Sequence, residues 1–240
     1  MKTLIVLLCA LTFACNAANL ETTTPVTQDR DHATYNWQKR HETILARNKE
    51  ISPDVVFFGD SIVHYWGGEP KAPIAWGAQA WSNCFDGISV GNLGFGWDRT
   101  ENVLWRIANG ELDGITPKVI IIKIGTNNTG RNTPEDIAAG IQAVCEAAHE
   151  KQPQAKILLL GILTRRDEKP GNSATEPVNK LLAAHFSGAD YVTFRDFGGL
   201  FRNADGTPNA SLFKDVVHIN AAGYKILGTK IHDEMMNLMK

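Results

Sequence analysis

The chain has 240 residues, 43% of them hydrophobic, with 24 Lys and Arg set against 26 Asp and Glu. That length and apolar content suit one α/β domain with a single sizeable core. The near balance of charge, with no basic block, excludes a nucleic-acid-binding protein of the usual electropositive kind.

The opening stretch, MKTLIVLLCALTFACNAANLE, sets Lys2 ahead of an apolar core from Leu4 to Ala14 and then small residues. This is the layout of a secretory leader, too short to span a bilayer comfortably. We read 1–18 as a signal peptide cleaved after Ala17 or Ala18, 19–35 as a polar N-terminal segment, and 36–240 as the folded domain. The expected location is therefore the periplasm or the cell exterior. Cys15 follows Thr12-Phe13-Ala14, an imperfect version of a lipoprotein processing site, which leaves lipid anchoring as the alternative. With Cys9 and Cys15 in the leader, Cys84 and Cys145 form no disulfide framework, and neither has neighbours that suggest a metal site. Cys145 sits among Ala and Val as a small core residue.

Beyond the polar segment, apolar runs alternate with helical patterns. Trp37–Glu50 reads as a helix, then Asp54–Phe58 and Ile88–Asn92 as strands. Arg99–Asn109 follows as a helix and Lys118–Ile124 as the third strand. Thr133–Lys151 opens with a cap residue, an N1 proline and first-turn acids. Lys156–Leu163, a helix over Pro177–Phe186, Tyr191–Phe194 and a final helix over Ala221–Met239 complete the series. The runs are short and continuously apolar, as strands buried on both faces are. Alternation of this kind predicts a doubly wound parallel five-stranded sheet with helices on both faces, in one domain.

In such a sheet, ligands bind beyond the carboxyl ends of the strands. The first run is followed by Gly59-Asp60-Ser61, the second runs into Asn92-Leu93-Gly94-Phe95-Gly96-Trp97-Asp98, and the third is followed by Gly125-Thr126-Asn127-Asn128. Asp215-Val216-Val217-His218 precedes the last helix. Each piece alone is an ordinary turn or a surface pair; order and placement bring all four to one rim. The chemistry fits ester cleavage. A serine hydroxyl needs a base within hydrogen-bond reach. His218 can take the Ser61 proton, and Asp215 can fix the imidazole tautomer. The amide of Ser61, an N–H from the Gly96-Trp97 turn and the Asn127 side chain can receive the oxyanion. No metal and no cofactor are needed.

These four blocks, in this order, resemble the SGNH (GDSL-type) hydrolases. The stretch Val103 to Leu112, Gln152 to Ile157 and the surroundings of Glu168-Lys169-Pro170 look especially like the catalytic subunits of intracellular platelet-activating-factor acetylhydrolases. The resemblance runs from about Asp54 to the C-terminus. It implies a flavodoxin-like three-layer α/β/α fold and a serine esterase mechanism: Ser61 as nucleophile, His218 as base, Asp215 as its orienter, Asn127 as an oxyanion donor. The family's oxyanion glycine, five residues after the block's Asn, falls on Trp97. A backbone N–H survives that change, so Trp97 is the expected donor and Gly96 the reserve.

Other residues have plainer readings. Trp66, Trp76, Trp81 and Trp97 lie on or near the first two catalytic loops, where aromatic faces suit sugar rings, although most tryptophans are simply packed. His64, one helical turn after Ser61, has nothing nearby to orient it as a base. His41, His149, His185 and His232 read as surface or partly buried helix residues, and Arg165 and Arg166 as a solvated charge cluster. The expected function is an exported esterase removing short acyl groups, chiefly acetyl, from carbohydrate. The alternatives are acetyl hydrolysis on a phospholipid like platelet-activating factor, and a non-catalytic glycan-binding protein on a hydrolase scaffold.

Overall fold

The computed structural model describes residues 20–28, 30 and 34–240; the leader, its cleavage site, Cys9 and Cys15 lie outside them. Five strands form one sheet: β1 (Val55–Gly59), β2 (Val90–Gly94), β3 (Val119–Lys123), β4 (Lys156–Leu160) and β5 (Val192–Arg195). Their order is β2-β1-β3-β4-β5, and every pairing is parallel. The helices are α1 (Trp37–Asn48), α2 (Ser61–His64), α3 (Ala78–Phe85), α4 (Thr100–Ala108), α5 (Pro134–Lys151), α6 (Glu176–His185) and α7 (Ala221–Leu238). The expected α/β/α arrangement is what folds.

Strand side chains alternate between two cores, as the pleat requires. Val56, Phe58, Ile120, Ile122, Ile157 and Leu159 face α1, α4, α5 and α6. Val55, Phe57, Val119, Ile121, Leu158 and Leu160 face α2, α3 and α7, with Trp66, Trp81 and Phe85 among them. Both faces are covered, which is why the strands read as unbroken apolar runs. The helices start where their sequence says they should. The Asn36 side chain accepts from the Lys39 amide at 2.7 Å, Thr133 accepts from Asp136 at 3.2 Å ahead of Pro134, and Asn220 accepts from Ala222 and Gly223.

Two differences from the sequence reading matter. Strand β2 ends at Gly94 rather than Asn92. Its polar Asn92 and its glycines belong to the ladder because α2 crosses directly above them. Helix α3 was not anticipated: eight residues long and without a side-chain cap, it is held by packing of Trp81 and Phe85.

The outer edge of β2 is closed by side chains. Arg40, buried on α1, donates to Gly94 O at 2.8 Å and to Asn92 O at 2.9 Å. The Asn92 amide donates to Glu69 O at 2.8 Å.

Behind the sheet's carboxyl rim lies a buried ionic chain. The guanidinium of Arg106 donates to Asp98 Oδ2 at 2.8 Å, Glu111 Oε2 at 2.6 Å and Leu93 O at 3.0 Å. It rests 4.0 Å from the Phe95 ring centroid. Glu111 Oε1 meets His41 Nδ1 at 2.8 Å. His41 is therefore fully buried, beyond the surface or partly buried position its helical pattern suggested; its partner sits 70 residues away and was invisible in local pattern. His149 is half-buried against Tyr191, His185 is exposed and His232 half-buried.

Truncating one member of a buried ionic set leaves the others uncompensated, at a cost of about 3–5 kcal/mol. Arg106→Met is expected to lower unfolding free energy by about that amount in urea titration. Arg106→Lys should recover less than half of it, since one ammonium cannot bridge both carboxylates in the planar geometry.

Candidate active site

In a sheet of order 2-1-3-4-5 the order of strand addition reverses between β1 and β3, and the crevice opens there. Ser61 follows β1 and Asn127 follows β3, so the two flank that point. Residue 59 must be small. A Cβ on Gly59 would lie 2.5 Å from Lys123 O and 2.4 Å from Val63 Cγ2, and one on Gly94 would lie 2.3 Å from the His64 nitrogen. Their absence lets α2 sit on the strand ends. Asp60 caps α2, its Oδ1 accepting from the Ile62 amide at 2.9 Å. Asn92 Nδ2 donates to Val63 O at 2.8 Å and Gly67 O at 2.6 Å, satisfying carbonyls at the far end of this short helix. Tyr224 on α7 adds a bond from its hydroxyl to Ile62 O at 2.8 Å.

His218 arrives from the loop before α7, where Phe213 and Ile219 form an isolated antiparallel bridge. Asp215 Oδ1 accepts from the amides of Val217 at 2.8 Å and His218 at 2.7 Å, which turns the loop back on itself. Its Oδ2 meets His218 Nδ1 at 2.8 Å, and His218 Nε2 meets Ser61 Oγ at 2.9 Å. Burial opposes ionisation of Asp215, but the two amides and the imidazole outweigh it and hold the carboxyl below its ordinary range. An ionised Asp215 accepts a hydrogen bond from Nδ1–H, which fixes that tautomer and leaves Nε2 as the acceptor for the serine hydroxyl.

On the other wall the Asn127 side chain donates to Asp98 O at 2.8 Å, fixing the amide and leaving its second N–H for a ligand. Arg99 Nε donates to Asn127 O at 3.0 Å, and Thr100 N donates to Asn128 Oδ1 at 3.2 Å. The next donor separates the two expected candidates. The Gly96 amide donates to His64 Nδ1 at 3.1 Å and so is spent, which corrects its place as the reserve. The amides of Ser61 and Trp97 have no hydrogen-bond acceptor among the described residues. Trp97 is the one non-glycine residue with positive φ, +66°, among the described residues. Its neighbours impose that conformation. Gly96 O accepts from Gln28 Nε2 and the Tyr35 hydroxyl, both at 2.8 Å. Asp98 Oδ1 accepts from Gln28 at 2.9 Å and Trp37 at 2.8 Å. Backbone strain of this kind persists only where the surroundings over-determine it.

Ser61, His218, Asn127 and Trp97 open onto one cavity of about 250 Å³. Tyr65, Ile74, Trp76 and Val217 form its apolar side, and Thr34 closes its edge. Trp76 stands edge-on to the His218 ring at 5.0 Å. Of the four tryptophans singled out in sequence, Trp66 and Trp81 are core residues, Trp76 is half-buried in the wall, and Trp97 is 53% exposed. Arg165 is paired with Asp167 at 3.0 and 2.9 Å, and neither it nor Arg166 reaches the cavity. No group of His, Cys, Asp or Glu among the described residues is arranged to hold a metal ion, and none of their helices is long and apolar enough to cross a membrane.

Sequence reading missed three contributors. Lys123, buried at the end of β3, donates to Asp60 Oδ2 at 3.0 Å and to Thr126 Oγ1 at 2.6 Å. The signal was a charge inside an otherwise apolar run, which needs a partner. Asp98 holds Asn127 through its carbonyl, an interaction no residue type announces. His64 does have a partner after all, in the Gly96 amide. Burial, then the charges of Arg40 and Arg106, push its pKa down to about 2.

Comparison with known proteins gives a consistent picture. Residues 57–226 match the model of the GDSL-like lipase/acylhydrolase family. Platelet-activating factor acetylhydrolase IB subunit alpha2 of Rattus norvegicus is 34% identical over 205 residues, 85% of each chain. Subunit alpha1 of Homo sapiens is 33% identical over 204 residues, covering 85% of this chain and 84% of its own. The crystal structure of a GDSL-like lipase from Bacteroides thetaiotaomicron superposes with a TM-score of 0.63 at 19% identity, over 82% of this chain and 97% of that one.

Because His64 stays neutral in the fold while an unfolded histidine protonates below about 6.5, its contribution to stability is intact above that pH and is lost as pH falls. Between pH 7 and 5 this amounts to about 2 kcal/mol. His64→Gln is expected to flatten the acid side of the stability profile by that amount, read from urea unfolding at the two pH values.

Proposed function

We propose that this chain, which belongs to the GDSL-like lipase/acylhydrolase family and is an ester-hydrolysing enzyme, is an exported serine esterase that removes short acyl groups, acetyl above all, from carbohydrate alcohols. The observation that carries the catalytic part is the unbroken series from Asp215 through His218 to the Ser61 hydroxyl, with distances of 2.8 and 2.9 Å, ending in the cavity. Ser61 Oγ attacks the ester carbonyl as His218 Nε2 takes its proton, and Asp215 stabilises the imidazolium. The carbonyl oxygen becomes an oxyanion facing the amides of Ser61 and Trp97 and the free N–H of Asn127. Collapse expels the alcohol, protonated by His218, and water then repeats the sequence on the acyl-serine.

The cavity size supports a short acyl group. About 250 Å³ falls below the roughly 300–1,000 Å³ of sites for drug-sized ligands, and Tyr65, Ile74, Trp76 and Val217 give the cavity an apolar side. The exposed Trp97 indole at the mouth supports a sugar as the alcohol, because an aromatic face suits the C–H surface of a pyranose. The leader-like residues 1–18 motivate the exported location. A second reading, acetyl hydrolysis on a phospholipid like platelet-activating factor, is favoured by the names of the relatives. It uses the same site.

Purified enzyme is expected to cleave p-nitrophenyl acetate faster than the octanoate. Ser61→Ala or His218→Ala should lower kcat by about 10⁴–10⁶-fold, and Asn127→Ala by about 10²–10³-fold. Unchanged rates in the first two variants would overturn the triad. Trp97→Gly keeps the backbone donor and relieves the positive φ. It should leave p-nitrophenyl acetate turnover nearly unchanged while lowering kcat/KM on acetylated oligosaccharides by up to about tenfold, the worth of one aromatic stacking contact. Acetate release from platelet-activating factor in preference to the glycans would select the second reading.

A further inference from the structure

Lys123 is the last residue of β3, paired in register with Gly59 of β1. Every other residue of that strand is apolar and packs into one of the two cores. An isoleucine here would satisfy the packing without the desolvation that a buried ammonium suffers, which is several kcal/mol before compensation in general estimates. Packing therefore does not account for a lysine at this position. What the ammonium uniquely does is bond two different loops. It holds Asp60 Oδ2 at 3.0 Å, and Asp60 is both the cap of α2 and the residue before Ser61. It holds Thr126 Oγ1 at 2.6 Å, and Thr126 is the residue before Asn127. Between them the chain must leave β3 through Gly125 at φ +108°, in a short turn with no other side-chain bond to the serine loop among the described residues.

Resting on the reading of Asn127 as an oxyanion donor, we propose that Lys123 is a positioning residue: it clamps the Ser61 turn to the Asn127 turn and so sets the separation of nucleophile and oxyanion donor. The attacking oxygen and the carboxamide come from neighbouring strands, and the ladder fixes those strands only up to Gly59 and Lys123. Beyond that point register is no longer enforced by backbone bonding, and the lysine carries it one residue further after β1, to Asp60, and three residues further after β3, to Thr126. Misplacement by a fraction of an ångström at such a site is enough to cost rate, since oxyanion donors act only at the correct distance.

Lys123→Met would leave Asp60 buried without its partner and could fail to fold, so the test uses the other end of the clamp. Thr126→Val removes one hydroxyl from a residue of the same shape and leaves the Lys123–Asp60 pair in place. Turnover of p-nitrophenyl acetate is measured for wild type, Thr126→Val, Asn127→Ala and the double variant. Thr126→Val is expected to lower kcat about 10-fold with KM changed less than about twofold, and Thr126→Ser to restore most of the rate. In the Asn127→Ala background the same valine should cost less than about twofold, because the donor it positions is gone. An equal loss in both backgrounds would assign Thr126 a purely structural role and overturn the proposal. So would a Thr126→Val variant as fast as wild type while Asn127→Ala loses 10²-fold or more. If Asn127→Ala itself keeps full kcat, the oxyanion reading falls, and this inference falls with it.

Discussion

The bridge from Arg106 to Asp98 organises the rim. A guanidinium with no access to water stays charged only among carboxylates and carbonyls, and Arg106 is given two carboxylates, a strand carbonyl and an aromatic face. Burial pushes the Asp98 pKa up to about 6, working against Arg106 and the indole and carboxamide N–H groups around it. The geometry of the turn follows from that carboxylate. With the side chain of Asp98 fixed below the surface, its carbonyl is fixed above it, and the Asn127 amide is aimed by that carbonyl. Trp97, directly before Asp98, inherits a left-handed backbone, and its amide has no acceptor among the described residues. The wall that carries Asn127 and Trp97 is therefore suspended from an ion pair that does not line the cavity.

The two walls of the cavity are built by different means. The wall of Asn127 and Trp97, proposed as oxyanion donors, is embedded in ionic and hydrogen-bonded groups that are mostly buried. The wall of Asp215 and His218, proposed as the acid–base pair, is a compact loop, self-bonded through Asp215 and joined to the body through the Phe213–Ile219 bridge and the start of α7. The His218 ring is braced by Trp76 from outside the loop. A proton shuttle tolerates small rotations of an imidazole, whereas an oxyanion donor works over a narrow range of distance. The rigid construction sits where distance matters most.

Much of this was legible in the sequence, and the exceptions have a common cause. Strands and most helices follow from local periodicity, and the placement of Ser61, Asn127 and the Asp215–His218 pair follows from what stands after each apolar run. Hidden were the residues whose roles depend on a partner far along the chain. His41 looks like a surface or partly buried position on a helix until Glu111 is brought beneath it. Lys123 looks like an interruption in a strand until Asp60 folds over it. The choice between Gly96 and Trp97 could not come from residue type, because both have an amide; it turned on His64 occupying one of them. Helix α3 lacked a side-chain cap and was set by tertiary packing alone. Local pattern reports on neighbours a few residues apart, and these contacts span 29 to 70 residues.

The closed edge of β2 has a bearing on assembly. An open sheet offers two rows of backbone donors and acceptors to which a stray strand can add, the first step toward fibrous aggregates. Here Arg40 occupies the outward carbonyls of Asn92 and Gly94, and Glu69 takes the Asn92 amide. At the opposite edge β5 is four residues long and its Phe194 carbonyl is taken by the Arg195 guanidinium at 2.9 Å, so among the described residues neither edge offers a stray strand a full row of free groups.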